Sequence, residues 1–383
     1  MTAHRKLLSG NHAVSYGVML AKPKVIPVYP ITPQTPILEK ITELQTAGEL
    51  DADIMTAESE HSAMAACITA SLTGVRVFTA TASQGLMLMH EMLHYASGAR
   101  APIIMANVNR TIGSPWAFWP DQTDSLAQRD CGWIQYYCET GQESLDTVIQ
   151  AFKVAEQVML PAMVIHEAFY VSHSVEPVEI PGQETVDEYL PPFTPEHRLD
   201  PAIGESWGNV VNQEMYYRHR QDMGRAMEHV CDLAQKADQA WQELTGRGYG
   251  IMEEYCCDDA QVVLATMGGL AGTAREAVDI LRQKGLKVGL LKVKLFRPFP
   301  VFQVRKILSA IPKVIVMDRN YAPGTGGFLH QEIKAALYGL ANSPEVHGYL
   351  VGVGGVNVSP ENIMDLVNRA MAETAFPESV WVG

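Results

Sequence analysis

The chain has 383 residues, of which 47% are hydrophobic, and its formal net charge at pH 7 is -14. A chain of this length buries substantial cores and is expected to form two or three domains. Its acidic charge, without a basic stripe, argues against a nucleic-acid-binding surface. Its apolar runs are too short to span a membrane and residues 1–10 lack a signal-peptide core, so we expect a cytoplasmic protein.

The first 180 residues alternate between short apolar runs and stretches with helical periodicity. We expect strands at residues 25–29, 75–80, 103–106 and 162–165, and helices at residues 62–71, 86–96 and 145–159. In the last helix, one core-facing stripe is expected from Leu145, Val148, Ile149 and Phe152. Strands that alternate with helices predict a doubly wound α/β domain over residues 1–180.

The composition changes at residue 181, where Pro, Glu, Gln, Tyr and Arg replace the apolar runs. Residues 181–257 are predicted to be a connecting arm without strands, extended at 191–195, helical at 223–244 and packed on a neighbouring subunit. Residues 258–383 resume the alternation and predict a second α/β domain. Its expected elements are strands at 262–266, 288–296, 314–317 and 348–353 and a helix at 273–283.

A proline-rich loop follows the first predicted strand of the first domain. Residues 29–36 read Tyr-Pro-Ile-Thr-Pro-Gln-Thr-Pro. Each proline fixes its own φ and pushes the preceding residue toward extended geometry, so Ile31 and Thr32 lose freedom before any ligand binds. Because open α/β sheets bind ligands at the carboxyl ends of their strands, this rigid polar loop is a candidate binding segment.

Seven further segments follow this loop in a characteristic order. They are residues 58–66 (ESEHSAMAA), 79–85 (TATASQG), 106–110 (ANVNR), 128–135 (QRDCGWIQ), 175–178 (VEPV) and then 267–272 (MGGLAG), with FRPFP at 296–300. Together with the proline loop they resemble the α subunit of the 2-oxoacid:ferredoxin oxidoreductases, thiamine diphosphate enzymes typified by pyruvate:ferredoxin oxidoreductase. The resemblance spans most of the chain.

The resemblance implies a transketolase-like architecture, with a pyrimidine-binding domain at 1–180 and a carboxyl-terminal-like domain at 258–383. It also implies oxidative decarboxylation of a 2-oxoacid, single-electron transfer to iron–sulfur clusters, and transfer of the acyl group to coenzyme A. A carboxylate bonded to the aminopyrimidine ring favours the cofactor tautomer that becomes a nucleophile.

By resemblance, Glu60 matches the activating glutamate, and Arg110 and Thr32 match residues that contact the 2-oxoacid. Glu58 is the rival carboxylate, and either acid is also explained as a solvated charge in the first turn of a helix. The other site residues implied by the resemblance are Pro30, Ile31 and Gln84 for the cofactor, with Asn109 and His61 in the substrate pocket.

The loop after Arg110 departs from the small, aliphatic pattern of the pyruvate enzymes. It carries Trp116, Phe118 and Trp119 within four residues. Trp116 and Phe118 are candidates to line a pocket for a flat substrate such as phenylglyoxylate, because aromatic rings supply large apolar contact areas. They are equally explained as packing within the loop. Pyruvate and an aromatic 2-oxoacid therefore both remain candidate substrates.

Two absences point to partner subunits. The sequence contains no Gly-Asp pair, the start of the motif that holds the metal of thiamine diphosphate, so a β subunit is expected to supply the diphosphate and Mg²⁺ half-site. Its six cysteines form no C-x-x-C pair, so this chain alone is not expected to hold an iron–sulfur cluster, and the resemblance implies [4Fe-4S] clusters on γ and ferredoxin-like δ subunits. The expected electron acceptor is ferredoxin or an NAD-linked flavin subunit.

One motif supports a different class of enzyme. His90-Glu91-Met92-Leu93-His94 matches H-E-x-x-H, in which two histidines one helical turn apart bind zinc and the glutamate acts as base. A zinc-dependent hydrolase and a non-catalytic assembly subunit are therefore the alternative functions. Because the motif lies within the segment that resembles a metal-free region of the family, we assign no metal ligand to this chain.

Overall fold

The computed structural model describes residues 4–372 and 378–382 of the chain. The strands are β1 His4–Ser9, β2 Val25–Val28, β3 Asp53–Thr56, β4 Phe78–Thr81, β5 Ile104–Asn109, β6 Ile134–Tyr137, β7 Ala162–Glu167, β8 Val175–Ile180, β9 Met252–Tyr255, β10 Val262–Thr266, β11 Val288–Val293, β12 Leu295–Arg297, β13 Lys313–Asp318, β14 Glu345–Val351 and β15 Val380–Val382.

The helices connect these strands and cover the sheets. They are α1 Gly10–Ala21, α2 Thr35–Thr46, α3 Glu60–Leu72, α4 Ser83–Leu88, α5 His90–Gly98, α6 Thr123–Leu126, α7 Gly141–Val158, α8 Gln183–Tyr189, α9 Gln213–Glu228, α10 Val230–Thr245, α11 Leu270–Gln283, α12 Val301–Leu308, α13 Phe328–Leu337 and α14 Pro360–Ala372, with a 3₁₀ turn at Val353–Gly355. Among the residues described, none of these helices is both long and apolar enough to cross a bilayer.

The first domain is built on a sheet with strand order β12-β6-β7-β5-β4. The neighbours β6-β7, β7-β5 and β5-β4 are parallel, and the parallel pair β2-β3 lies beside β4 through a bridge between Val25 and Val77. Helices on both faces make this a doubly wound α/β domain, as the sequence predicts. Strands β1 and β8 form a separate antiparallel ribbon.

Helix α7 shows why the sequence folds as it does in this domain. Its side chains at Leu145, Val148, Ile149 and Phe152 are fully buried, which confirms the predicted stripe. Thr140 caps the first turn by accepting a hydrogen bond from the backbone N–H of Glu143 at 3.1 Å. Beyond Val158 the chain turns into left-handed geometry at Met159, with φ 51°, and this ends the helix.

The second domain contains a six-stranded sheet with order β15-β14-β13-β10-β11-β9. Its first five strands are parallel, whereas β9 lies antiparallel to β11 at the edge. The prediction that residues 181–257 contain no strand is therefore wrong at β9. This segment has two adjacent glutamates and no buried residue, and its pairing with β11 is a tertiary effect that local pattern does not reveal.

The predicted strand at residues 288–296 is two strands in different sheets. Strand β11 stays in the second sheet, whereas β12 pairs antiparallel with β6 of the first sheet. The backbone crosses at Lys294, whose carbonyl accepts a hydrogen bond from Tyr137 N at 2.7 Å while its N–H donates to Ile251 at 3.1 Å. A continuous apolar run carries no signal for such a crossing.

The arm contains two long helices where the sequence predicts one at residues 223–244. Helices α9 and α10 meet at His229, and α10 packs on α7 through the fully buried Trp241. The Trp241 ring meets Tyr189 edge to face at 4.9 Å. Similarly, the predicted helix at 86–96 is divided at Met89 into α4 and α5. Packing of the arm on a neighbouring subunit stays a prediction.

The two domains share one apolar core. Met163 and Ile165 of β7 belong to the same buried cluster as Val263 of β10, Leu291 of β11 and Val316 of β13. Since this cluster draws on both sheets, unfolding one domain would expose apolar surface of the other, and the two are expected to unfold together.

A buried ion cluster accompanies this shared core. The ammonium group of Lys292, on β11, lies 2.9 Å from both Glu139 and Glu143 of the first domain. Arg275, on α11, adds a 2.7 Å contact to Glu139. These charges are paired across the domain boundary, which fixes the orientation of one domain on the other.

Candidate active site

The candidate site lies at the carboxyl ends of β4 and β5, which are parallel neighbours in the first sheet. Strand β4 ends at Thr81 and leads into α4, and β5 ends at Asn109, immediately before Arg110. The first turn of α3, which begins with Glu60, approaches the same edge, because its carboxylate faces Gly85 of α4. This is the edge at which open α/β sheets bind ligands.

Glu60 is nearly enclosed, with 6% of its surface exposed. Ser59 places it at the helix start by accepting a hydrogen bond from Ser62 N at 3.2 Å. Glu58 is instead fully exposed and bonds to the Ser62 hydroxyl, which lowers the pKa of its carboxyl. The rival carboxylate is therefore an ordinary solvated charge at the helix start, and Glu60 is the one directed into the protein.

The carboxylate of Glu60 has no bonding partner of its own. Within residues 4–372 and 378–382 it makes neither a hydrogen bond nor an ion pair, and the hydroxyl of the neighbouring Thr81 is buried without a partner. A largely enclosed carboxylate without a partner among the described residues is free to accept a hydrogen bond from a donor group brought to this edge of the sheet.

Gly85 makes the position of Glu60 achievable. A Cβ atom at Gly85 would lie 2.5 Å from Oε1 of Glu60 and 2.6 Å from the Thr81 hydroxyl, well inside contact distance. Only glycine leaves room for the carboxylate at this point of α4.

Replacing Gly85 by alanine is expected to lower turnover at least tenfold by displacing the Glu60 carboxylate, and to destabilise the chain by about 1–3 kcal/mol through overpacking. In an exposed helix, replacing glycine by alanine typically has the opposite effect and raises the free energy of unfolding by about 0.5–1 kcal/mol. Gly98→Ala is the matched control, because a Cβ there meets no atom within 4 Å. Thermal unfolding and turnover are measured for both variants. Equal effects of the two substitutions would contradict this role of Gly85.

Arg110 is buried beside this edge, with 5% of its surface exposed. One terminal nitrogen donates to the backbone carbonyl of Thr32, and the other donates to Oε1 of Gln84. Its Nε–H is buried without a partner. Among the described residues, two of the five N–H groups of the guanidinium therefore find an acceptor.

Two exposed aromatic rings pack on this guanidinium. Its carbon lies 5.0 Å from the ring centre of Trp116 and 5.8 Å from that of Phe118, and the two rings meet edge to face. Burial lowers the pKa of Arg110, while the nearby charges of Asp124 and Glu60 raise it. Ring stacking and the two hydrogen bonds to Thr32 and Gln84 hold the planar group in one orientation.

The loop at residues 29–36 is fixed to the same edge. Gln34 is fully buried and donates its side-chain amide to the carbonyl of Ala80 at 3.2 Å. Its own N–H donates to the carbonyl of Ile31 at 2.8 Å, which closes the turn. Ile31 is half-buried, whereas Pro30 and Thr32 are exposed at the mouth of the site.

Asp124 organises the strand ends, and sequence reasoning missed it. Its fully buried carboxylate accepts hydrogen bonds from five groups: the backbone N–H groups of Ser83, Arg110 and Ser125 and the side-chain amides of Asn107 and Asn109. Burial raises the pKa of Asp124 to about 6, and these hydrogen bonds oppose the rise. The available signal was the pair of asparagines on one face of β5, each of which needs a buried partner.

Two predicted pocket residues do not face the space beside Arg110 and Thr32. Asn109 is fully enclosed, and its amide donates to Asp124 and, at 2.9 Å, to the Ser125 hydroxyl. It therefore helps to position the strand ends and does not line a pocket. His61 lies on the solvent side of α3, with Nε2 3.6 Å from Glu91. The structure thus groups Glu60, Gln84, Thr32, Arg110, Trp116 and Phe118.

The glycine pair at the start of α11 holds an internal carboxylate. Glu167 of β7 faces Gly268 and Gly269, where a Cβ atom would lie 3.0 and 2.9 Å from its two oxygens. Gln122 and Arg319 bond the same carboxylate at 3.0 and 2.6 Å. This turn therefore joins the two domains.

Comparison with known proteins agrees with this geometry. A family model described as pyruvate flavodoxin/ferredoxin oxidoreductase, thiamine diP-bdg, matches residues 16–239, more than half of the chain. A second, described as pyruvate:ferredoxin oxidoreductase core domain II, matches residues 260–363. The chain belongs to the 2-oxoacid:ferredoxin oxidoreductase family. Within it, the sequence resembles α subunits over its full length, so this is one subunit of an oxidoreductase that acts on 2-oxoacids.

Two relatives of this oxidoreductase family show the extent of the match. Pyruvate synthase subunit PorA of Methanothermobacter thermautotrophicus is 47% identical over 382 residues, 99% of this chain and 98% of the relative. Ketoisovalerate oxidoreductase subunit VorA of Pyrococcus abyssi is 48% identical over 371 residues, 96% of this chain and 93% of the relative.

Solved structures add the fold of the oxidoreductase. A 2-oxoglutarate:ferredoxin oxidoreductase from Magnetococcus marinus matches 96% of this chain and 65% of its own, with a TM-score of 0.75 at 22% identity. A split-gene transketolase matches 95% of this chain and 98% of its own, with a TM-score of 0.56 at 13% identity. The predicted transketolase-like architecture is confirmed.

Proposed function

We propose that this chain supplies the pyrimidine-side half of a thiamine diphosphate site in a CoA-acylating 2-oxoacid oxidoreductase. The observation that carries the proposal is the carboxylate of Glu60 at the edge of the first sheet, which is largely enclosed and has no partner among the described residues. Every residue of the candidate site lies within the segment matched by the thiamine diphosphate-binding family model.

Glu60 would accept a hydrogen bond from the aminopyrimidine ring and hold that proton at its carboxylate. When bound, the cofactor would supply the nucleophilic carbon that adds to the carbonyl of the 2-oxoacid. Pro30, Ile31 and Gln84 lie on the loops around Glu60 and would fix the position of the ring. The low exposure of Glu60 keeps water from competing for its oxygens.

Arg110 would bind the carboxylate of the substrate. Its Nε–H is unused, and each terminal nitrogen has one free N–H, so the planar edge is available for paired hydrogen bonds. Thr32 would contribute in two ways. Its backbone carbonyl orients Arg110, and its exposed side chain lies at the mouth of the site, where it would contact the substrate.

Trp116 and Phe118 would contact the substituent of the substrate. Both rings are about half exposed and lie against Arg110, so a carboxylate bound by the arginine places the rest of the molecule near apolar surface. We propose a 2-oxoacid with an apolar substituent, from pyruvate to an aromatic acid such as phenylglyoxylate. The two relatives named above are called pyruvate synthase and ketoisovalerate oxidoreductase subunits.

The remaining chemistry would be carried by partners. A β subunit would hold the diphosphate and Mg²⁺, because this sequence has no Gly-Asp pair. The [4Fe-4S] clusters would lie on γ and δ-type ferredoxin-like subunits, which pass electrons to ferredoxin or to an NAD-linked flavin subunit. Coenzyme A would accept the acyl group.

The hydrolase alternative loses its general base in this structure. Glu91 is 71% exposed at its side chain and turns to His61 rather than to the space between the two histidines. The assembly-subunit alternative differs from the proposal at Glu60, whose replacement would then leave turnover unchanged.

A substrate panel tests the proposal. The purified complex, assayed with coenzyme A and a viologen dye, is expected to turn over pyruvate, 2-oxoisovalerate or phenylglyoxylate with a kcat/KM at least tenfold above that for 2-oxoglutarate, whose second carboxylate would meet the two rings. Phe118→Ala should reduce the advantage of the bulkier acids, and Val301→Ala, on exposed α12, is the control. A preference for 2-oxoglutarate would contradict the apolar pocket.

A further inference from the structure

A cluster of three metal-ligating side chains lies outside the candidate active site. His90 and His94 are one turn apart on α5, and Cys131 follows α6 in the loop that leads to β6. Sγ of Cys131 lies 3.5 Å from Nε2 of His94 and 3.8 Å from Nδ1 of His90. All three ligand atoms are within 4.8 Å of one another.

These distances match those of a tetrahedral metal centre. With a zinc–nitrogen distance of about 2.1 Å and a zinc–sulfur distance of about 2.3 Å, nitrogen and sulfur ligands are separated by about 3.6 Å. The two nitrogen–sulfur distances are therefore those of a coordination tetrahedron, and the two histidine nitrogens, which lie within 4.8 Å of each other, would approach to about 3.4 Å around the ion.

We propose that His90, His94 and Cys131 bind one zinc ion. Two imidazoles and one thiolate form a mixed nitrogen and sulfur set that suits Zn²⁺ better than Mg²⁺ or Ca²⁺, which prefer oxygen ligands. The histidines are exposed whereas Cys131 is buried, so an ion reaches the cluster from solvent and is held against the protein by the sulfur.

The buried Gln128 supports this cluster. Its Oε1 lies 2.6 Å from Nδ1 of His90 and 3.5 Å from Sγ of Cys131, so it accepts hydrogen bonds from both groups in the metal-free chain. Its amide nitrogen donates to the sulfur of Met87 at 3.2 Å, which directs the oxygen toward the ligands. Such an oxygen is suited to accept a hydrogen bond from a water in the fourth coordination position.

The proton balance of binding is simple. Cys131 loses its thiol proton to solvent, and the proton on Nδ1 of His90 moves to the exposed Nε2, which frees the Nδ1 lone pair. One proton is released for each ion bound, and no oxidant or reductant is needed.

The glutamate of the H-E-x-x-H sequence takes no part in this centre. Glu91 faces His61 on α3. The proposed centre therefore differs from that of a zinc hydrolase: Cys131, which is distant in sequence, supplies the third ligand. It is a binding centre without a general base, and it is independent of the proposed oxidoreductase function.

Cobalt substitution of the full-length chain tests the proposal. The metal-free chain is titrated with Co²⁺ and then with Zn²⁺. The expected result is one Co²⁺ per chain, with the visible bands of a tetrahedral ion and a thiolate-to-cobalt charge-transfer band, all lost on stoichiometric addition of Zn²⁺. Zn²⁺ content after dialysis, measured by mass spectrometry, is expected to be one per chain.

Variants assign the ligands. Cys131→Ser is expected to abolish the charge-transfer band, and His94→Ala to weaken binding at least tenfold. Glu91→Gln and Cys231→Ser, which alter a motif glutamate and a thiol outside the cluster, should bind like the wild type. Circular dichroism verifies that each variant is folded. Absence of binding by the folded wild-type chain, or a charge-transfer band that persists in Cys131→Ser, would overturn the proposal.

Discussion

Glu60→Gln is expected to lower the turnover of the assembled complex by roughly 100-fold or more, because the amide cannot take and hold the proton of the aminopyrimidine ring. The same change breaks no hydrogen bond or ion pair among the described residues and removes a charge from a largely enclosed position, so the Tm of the chain without cofactor is not expected to fall. Turnover per complex and thermal unfolding measure the two effects.

Glu58→Gln is the matched control, since the same substitution two residues earlier alters an exposed carboxylate. Its turnover is expected to stay within about twofold of the wild type, as is typical of surface substitutions. Size-exclusion chromatography establishes that both variants assemble. Wild-type turnover in an assembled Glu60→Gln complex would instead favour a non-catalytic assembly subunit.

Arg110→Lys is expected to raise KM for the 2-oxoacid by about 10- to 100-fold, with a smaller effect on kcat. Lysine keeps the charge but loses the planar fork, so the paired hydrogen bonds to a substrate carboxylate become a single contact. It also loses one of the bonds that tie Arg110 to Thr32 and Gln84, and its stacking on Trp116.

Arg282→Lys controls for the general effect of losing a guanidinium. Arg282 bonds the backbone carbonyls of Val288 and Cys256 in the second domain, far in the chain from the candidate site. Its KM is expected to match the wild type. Equal KM values for Arg110→Lys and the wild type would remove Arg110 from the substrate site.

Where side-chain pattern reflects local burial, the sequence predicts this fold well. The stripe of α7 and the apolar runs of β7 and β10 lie where the sequence places them. Elements held by tertiary contacts are not predicted, as with β9, a strand only through its pairing with β11. The strand predicted at 103–106 ends too early for the same reason. Asn107 and Asn109 extend β5 because Asp124 accepts hydrogen bonds from their amides.

The candidate site divides in the same way. Glu60, Arg110 and Thr32 are found from motif resemblance, and the structure brings their segments to one sheet edge. Asp124 and Gly85 act only through contacts with residues distant in sequence, so they are visible only in the folded chain. Cys131 illustrates the same limit, since 37 residues separate it from His94.

The structure of the assembled complex with thiamine diphosphate bound tests the central claim most directly. The account predicts the Glu60 carboxylate in hydrogen-bonding contact, about 2.6–3.2 Å, with the aminopyrimidine ring, while a different polypeptide holds the diphosphate and its metal ion. A cofactor bound entirely by other chains, with Glu60 still lacking a partner, would contradict it.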